Sequence, residues 1–276
     1  MVRAAATQWA VIPMVLAAQA TPSEVSQERA DFISWLAAAP TSPLRAMVLH
    51  PIGPGIRLGP ATAEIPLRGV DARVEQRGLS LSLIVAGSPR PLPRDRAVPL
   101  GGYQIVAAGR PSQAVLTVFG RDAVAGSHEP SYYPYVNGWQ RDVVLTPIDR
   151  PQAEPMLAPD GTEVEATEAG TVTISIAGQN ASLRVFRIPT AGGEESELEV
   201  FFRDGTNGKE TYPAGRFVSL LPLGGNRFRL DFNRARNPFC AYNTVYPCPA
   251  PWRGNRLTAA VVAGEQYRAP GTTQEH

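Results

Sequence analysis

With 276 residues, 43% hydrophobic and 18% charged, the chain can bury a substantial core, and a disordered polymer is excluded. A formal net charge of +1 offers no global field for nucleic acid or anionic lipid, so neither is an expected partner. The 25 glycines and 27 prolines separate many short Val/Ile/Leu runs, which favours antiparallel strands joined by turns over a helical bundle.

The first twenty residues read as an export address. Arg3 gives a basic start, Ala4 to Ala17 is mainly apolar, and Ala18-Gln19-Ala20 fits a small-x-small cleavage site. Pro13 interrupts the run, which is short for a bilayer span. A signal peptide over 1–20 is therefore expected. The mature protein is then periplasmic or secreted, with no stable membrane insertion after cleavage.

Thr21 as N-cap, Pro22 at the first helical position and Glu24 at the third spell a capping box. Val25, Phe32, Ile33 and Leu36 follow at helical spacing, which predicts one amphipathic helix over Pro22 to Ala37. Pro40 and Pro43 end it. The polar face carries Glu24, Glu28 and Asp31, so the helix is expected to pack on a sheet and not on a membrane.

Residues 21–120 otherwise read as a sandwich-like β region, and the chain as a whole as mainly β, its antiparallel sheets forming a sandwich or a barrel. Strands are expected at Ala46 to Leu49, Gly55 to Leu58, Ala63 to Leu67, Ala72 to Gln76, Leu79 to Val85, Tyr103 to Ala107 and Ala114 to Phe119. Breaks fall at Gly53-Pro54, Gly59-Pro60, Arg77-Gly78 and Pro89 to Pro93. Leu79, Leu81 and Leu83 alternate with Ser80 and Ser82, the mark of a strand with one wet face. The run Ile56 to Leu67 resembles part of the forkhead-associated sandwiches. The Ser/Arg/His recognition residues of that family are not evident, so this likeness implies a fold only.

Residues 121–150 change character. Ser127-His128 precedes Tyr132, Tyr133, Tyr135 and Trp139, which read either as a carbohydrate-stacking platform or, the reading favoured, as an aromatic connector whose rings cover a sheet. Ser127 beside His128 is not a catalytic pair, because adjacency in sequence does not aim a base at its nucleophile. From 151 to 267 a second β region follows, with strands at Thr162 to Glu165, Gly170 to Ala177, Ser182 to Ile188 and Glu197 to Arg203. Residues 268–276 read as a polar tail.

The stretch from Asp204 to Asn255 holds both cysteines and the only lysine, Lys209. Asn207-Gly208 marks a hairpin turn, and Gly224-Gly225-Asn226 turns the chain from Arg216 to Leu221 into Arg227 to Asn233. Alternation there sets Phe228, Leu230 and Phe232 on one face and Arg229, Asp231 and Asn233 on the other. An irregular loop runs through Asn237-Pro238 and Pro247 to Pro251, and a closing strand is expected at Leu257 to Ala263. The loop is expected to fold over the strand end and bring Tyr212, Arg216, Asp231, Asn233, Asn237 and Tyr242 together.

These residues carry a resemblance. Thr211-Tyr212-x-x-Gly215-Arg216-Phe217, Asp231-Phe232-Asn233-Arg234-Ala235, Asn237-Pro238 and Cys240-Ala241-Tyr242 form one set. Cys248-Pro249, Asn255-Arg256-Leu257 and Ala263-Gly264-Glu265 extend it. Together they resemble the bacterial and archaeal domain-of-unknown-function 1684 family, most closely from Phe202 to Glu265. In that family Asn-Pro-Pro-Cys-Ala-Tyr is frequent; Phe239 replaces the second proline here and leaves that turn less constrained. The resemblance implies that these residues belong together and brings no activity with it.

Cys240 and Cys248 are a disulfide candidate in an exported protein, with buried free thiols or a metal or nucleophilic role as alternatives. C-x7-C is not a usual zinc spacing, and no metal or cofactor is expected. Two functions remain open. Tyr212, Arg216, Asp231, Asn233, Arg234, Asn237 and Tyr242 can bind a small polar or anionic ligand, with Arg216 and Arg234 as the clamp and Asp231 as candidate general base. Alternatively they brace the long loop of a structural or scaffolding envelope module. No motif names a reaction, so whether the chain is an enzyme stays open.

Overall fold

The structure is a computed structural model, described here for residues 20–123, 129–190, 195–250 and 252–268. All but the last residue of the expected signal peptide, the Ser127/His128 pair and the tail beyond Arg268 lie outside the described residues. The chain is mainly β, with sixteen strands and one α-helix among the described residues.

Helix α1, Ser23–Ala38, comes first. Pro22 is its N-cap and no side chain caps it, so the expected Thr21 capping box does not form. Glu24 therefore lies free in the first turn for another partner. Val25 and Leu36 are buried, and Phe32 meets Tyr242 edge-on at 6.0 Å.

The N-terminal strands are β1 (Ala46–Pro51), β2 (Gly55–Gly59), β3 (Ile65–Pro66), β4 (Ala72–Arg77), β5 (Ser80–Val85), β6 (Ser88–Pro91), β7 (Val98–Leu100), β8 (Tyr103–Arg110) and β9 (Gln113–Phe119). They form one sheet ordered β3-β2-β4-β5-β6 and a second ordered β1-β9-β8-β7. Ile56, Leu58, Leu83, Ile105, Leu116 and Val118 draw the two sheets into a common core. Leu81 and Leu83 are buried as their alternation requires, while Leu79 falls in the preceding turn and is exposed. Strand β6 lies where prolines read as a break. It is an edge strand, where the missing proline N–H groups cost no ladder bond.

The C-terminal strands are β10 (Gln140–Pro147), β11 (Ala153–Leu157), β12 (Glu163–Ile176), β13 (Gln179–Pro189), β14 (Ser196–Phe202), β15 (Arg216–Gly224) and β16 (Arg227–Asp231). All their pairings are antiparallel in the order β10-β16-β15-β14-β13-β12-β11. A further pairing of β10 with β12, from Leu145↔Val172 to Pro147↔Gly170, closes six of these strands into a barrel. The C-terminal part of the expected aromatic connector, Gln140–Pro147, is thus barrel strand.

Gly170 makes this closure possible. Strand β12 pairs with β11 before it and β10 around and beyond it, and a Cβ at Gly170 would lie 2.0 Å from the Thr146 carbonyl oxygen. Only glycine fits so close a backbone approach.

The expected closing strand at Leu257 to Ala263 is not a strand. The segment runs irregularly along the barrel, with Leu257, Val261 and Ala263 buried in the barrel core. Its backbone makes scattered hydrogen bonds, among them Leu257 N to Arg203 O at 2.8 Å and Gly205 N to Ala259 O at 3.1 Å, between bridges at Arg256 and Glu265. Its other buried carbonyls need side-chain donors.

Candidate functional site

Arg216 supplies those donors. At the start of β15 its side chain is fully buried. One guanidinium nitrogen donates to the carbonyl oxygens of Ala263 and, at 3.2 Å, Glu265. The other donates to Val261 O at 2.9 Å and pairs with Asp204 Oδ2 at 2.9 Å. Asp204 Oδ1 accepts from the N–H of Thr206 at 2.8 Å, from its hydroxyl at 2.6 Å and from Val261 N at 3.1 Å. A buried ion pair stands only if its remaining donors and acceptors are largely satisfied, and here the closing segment takes both terminal nitrogens of Arg216 and leaves Nε without a partner. Gly264 lets the backbone pass: its φ is +76°, and a Cβ there would lie 2.6 Å from Phe232 O.

Glu265 continues this seam. Its carboxylate accepts from Asn237 N at 2.8 Å and from the Tyr242 hydroxyl, and its own N–H donates to Ala235 O at 2.8 Å. Burial pushes Glu265 up to about 7, against the pull of the Asn237 and Tyr242 donors. Burial also raises Tyr242 well above the ordinary tyrosine range, with the Glu265 charge adding to it. Asn237 Nδ2 donates to Gln266 O at 3.0 Å.

Asp231 does not project to the outer surface as alternation predicts. Strand β16 ends there, and Phe232–Arg234 forms a tight 3-10 turn that buries Leu230, Asp231, Phe232 and Asn233 in succession. Asp231 Oδ1 caps this turn, accepting from Asn233 N at 3.0 Å and Asn233 Nδ2 at 2.8 Å. Asn233 in turn closes a two-bond clasp on Val136, accepting from its N–H at 3.1 Å and donating to its carbonyl at 3.0 Å. Arg234 Nε stands 3.6 Å from Asp231 Oδ2, too long for a hydrogen bond. Its other nitrogens pair with Glu24 at 2.9 Å and with Glu28, both on α1.

Tyr212 lies beside the cysteines. Its hydroxyl donates to Cys240 O at 3.2 Å and contacts Cys248 Sγ at 3.1 Å, and its ring meets Tyr267 edge-on at 4.8 Å. Both cysteines are free thiols, Cys240 buried and Cys248 exposed. Burial pushes Cys240 up to about 12 and raises Tyr212 above the tyrosine range. Phe239, where the family often has proline, starts a 3-10 turn and donates its N–H to Pro159 O at 2.8 Å. A second proline could not make that bond.

The predicted residues thus form a connected set of two halves. Arg216, Asn237 and Tyr242 meet around Glu265, while Asp231, Asn233 and Arg234 meet at the 3-10 turn, joined to the first half through Ala235. Tyr212 borders the set through Tyr242, Tyr267 and the cysteines. Among these, Arg216 cannot act as an anion clamp, because it is sealed from solvent and already paired.

A cleft of about 370 Å³ opens beside this set, between α1 and the barrel wall. Val25, Glu28, Arg29 and Phe32 line it from the helix, Leu221 and Ser219 from β15, and Asn233 to Arg236 from the turn, with Tyr132 and Glu197 alongside; Glu28 is paired with Arg234. Arg29 Nη2 donates to Asn233 O at 3.0 Å, and its guanidinium lies 4.4 Å from the Tyr132 ring centre. No carboxylate lies within ion-pair distance of Arg29 among the described residues. Burial lowers its pKa, with Tyr132, Asp231, Glu28 and Tyr135 opposing. Arg236 donates to Ser219 Oγ at 3.1 Å and pairs with Glu199, whose pKa burial raises.

Sequence reasoning missed Asp204, Glu265, Arg29 and Arg236 as site residues. Asp204 opens the dense stretch and Glu265 closes the motif set, and a fully buried arginine needs an acidic partner, which was the available signal. Arg29 sits on the helix face between Val25 and Phe32, and an arginine on a packing face was the signal for it.

A family model described as "Protein of unknown function (DUF1684)" matches residues 128–266. The chain belongs to this family. The matched region covers the barrel, the turn and the seam, so the motif set described here is the family's own domain. A solution NMR structure of an uncharacterized protein from Haloarcula marismortui is 28% identical, covering 52% of this chain and 78% of that one, with a TM-score of 0.44. No curated protein matches.

Proposed function

We propose that this protein binds a small amphipathic anion, a carboxylate or phosphate with an apolar body, in the cleft between α1 and the barrel. One observation carries this reading: Arg29 is half-buried in the cleft wall, held by a carbonyl and a tyrosine ring, with no carboxylate at ion-pair distance among the described residues, Asp231 and Glu28 acting on it only from farther off. An anion entering the cleft gains a desolvated guanidinium partner. Val25, Phe32, Leu221 and Ala235 offer its apolar part a wall. The signature residues hold the floor of this cleft: the Asp231 cap fixes the 3-10 turn, and the turn presents Asn233 O to Arg29.

The leader pattern of Arg3, the apolar run and Ala18-Gln19-Ala20 supports action outside the cytoplasm. Exported protein that begins at Thr21 on N-terminal sequencing is the expected result.

The test is a thermal-shift and calorimetric titration with decanoate, decyl phosphate and citrate. The first two are expected to raise the melting temperature and citrate to do so less, with Arg29→Ala abolishing the effect. A second reading, a scaffolding module, is favoured by the internal pairing of Arg216, Asp231 and Asn233. Failure of all three probes to bind removes the anion reading and leaves the scaffold.

A further inference from the structure

We propose that Cys240 and Cys248 are a built thiol pair that closes to a disulfide by exchange with an external disulfide. The argument rests on placement and is independent of the cleft. These are the chain's only two cysteines. The Phe239–Ala241 turn and the turn closed by Tyr246 N on Asn243 O, at 3.2 Å, bring the chain back on itself between them. Asn243 Nδ2 anchors this loop to the carbonyls of Pro43 at 2.9 Å and Ala46 at 2.8 Å. The Tyr212 hydroxyl then bridges Cys240 O and Cys248 Sγ, so one small group spans both residues. The Cys248 thiol is close enough to be among the groups acting on Cys240.

The two sulfurs have different exposure, and this orders the reaction. Cys248 is exposed, while Cys240 is buried with Ala46, Phe119 and Tyr246. Cys248, as its thiolate, attacks one sulfur of an external disulfide such as oxidised glutathione, forming a mixed disulfide and releasing one glutathione thiol. Cys240 loses its proton and attacks the Cys248 sulfur, releasing the second glutathione. In total, two thiol protons leave, one protein S–S bond forms, and the two electrons reduce the glutathione S–S bond to two thiols. Burial makes Cys240 the reluctant partner, so the second step is the slow one and quickens as pH rises. The bond ties the proline-rich loop to the turn that precedes Tyr242, the residue that holds Glu265.

The test uses the full chain, reduced and then incubated in a buffer of oxidised glutathione, acid-quenched, alkylated and weighed intact. The expected product carries no alkyl group and no glutathione and is two hydrogens lighter than the dithiol; peptide mapping joins Cys240 to Cys248. Cys240→Ser is expected to retain one glutathione on Cys248. Wild-type protein that keeps two alkylatable thiols, or that holds glutathione on Cys248 without closing, overturns the proposal.

Discussion

In the seam, Arg216 has no exposed surface and shares its charge with Asp204 and three carbonyls. In the cleft, Arg29 keeps contact with one carbonyl and one ring, and it faces no carboxylate at ion-pair distance among the described residues. The two lie only a few residues apart in space, linked through Glu265, Ala235 and Asn233. The contrast teaches that a dense polar motif in this chain marks construction. The arginine that the motifs single out is spent on holding an irregular segment, and the arginine able to meet a ligand sits on a helix outside the motifs.

Breaking the seam has the largest expected effect. Arg216→Ala removes the only cation paired with buried Asp204 among the described residues and strands three carbonyls, so a loss of about 3–5 kcal/mol of unfolding free energy is expected. Urea denaturation measures it. A loss under about 1 kcal/mol would mean that water enters and the seam is not the closed structure described.

Glu265 sharpens the comparison through pH. Its folded value is about 7 against an ordinary 4.5, so the folded state holds its proton more tightly than the unfolded state. The contribution is fully present below about pH 4.5 and is lost as pH rises through 7, where it levels off. The size is on the order of 3 kcal/mol. Glu265→Gln keeps a neutral group in place, so the stability difference between wild type and variant is expected to move against the wild type from pH 4.5 to 7. A difference that stays flat over this range would show that Glu265 titrates normally.

The turn that joins the two regions comes next. Asp231→Ala removes the acceptor of two Asn233 donors, one of them a backbone N–H at the start of the 3-10 turn. A cost of roughly 1–3 kcal/mol is expected, by the loss of a buried acceptor. Because the turn presents Asn233 O to Arg29, the same variant is expected to weaken anion binding in the cleft, whereas Arg216→Lys lowers stability and leaves binding at saturating probe unchanged.

Periodicity and punctuation made much of the fold legible. The Leu81/Leu83 alternation, the glycine turns and the Val25/Phe32/Leu36 spacing are local, and local signals survive into the structure. A barrel was one of the two forms expected, but where it closes was not legible, since closure depends on Gly170 meeting Thr146 across a pairing that no local pattern announces. Nor was the fate of Leu257 to Ala263: apolar residues there read as a strand, but Arg216 takes the carbonyls that a neighbouring strand would have taken. Asp231 shows the same limit at one residue. Alternation held up to Leu230 and ended there because an aspartate followed two residues later by asparagine can cap its own turn.

The smallest expected effect separates the cleft from the seam most directly. Arg234 has most of its bonding with Glu24 and Glu28, whose side chains are 71% and 53% exposed. Water screens such pairs, and long side chains lose entropy in forming them, so Arg234→Ala is expected to cost only about 0.3–1 kcal/mol. That cost falls on the docking of α1, because both partners are on the helix and neither is in the barrel. Added salt should therefore weaken the wild type toward the variant, and hydrogen exchange should speed up in α1 while β15 and β16 stay protected. If β15 and β16 lose protection as well, Arg234 belongs to the seam, and the division between a braced barrel and a separately held helix is wrong.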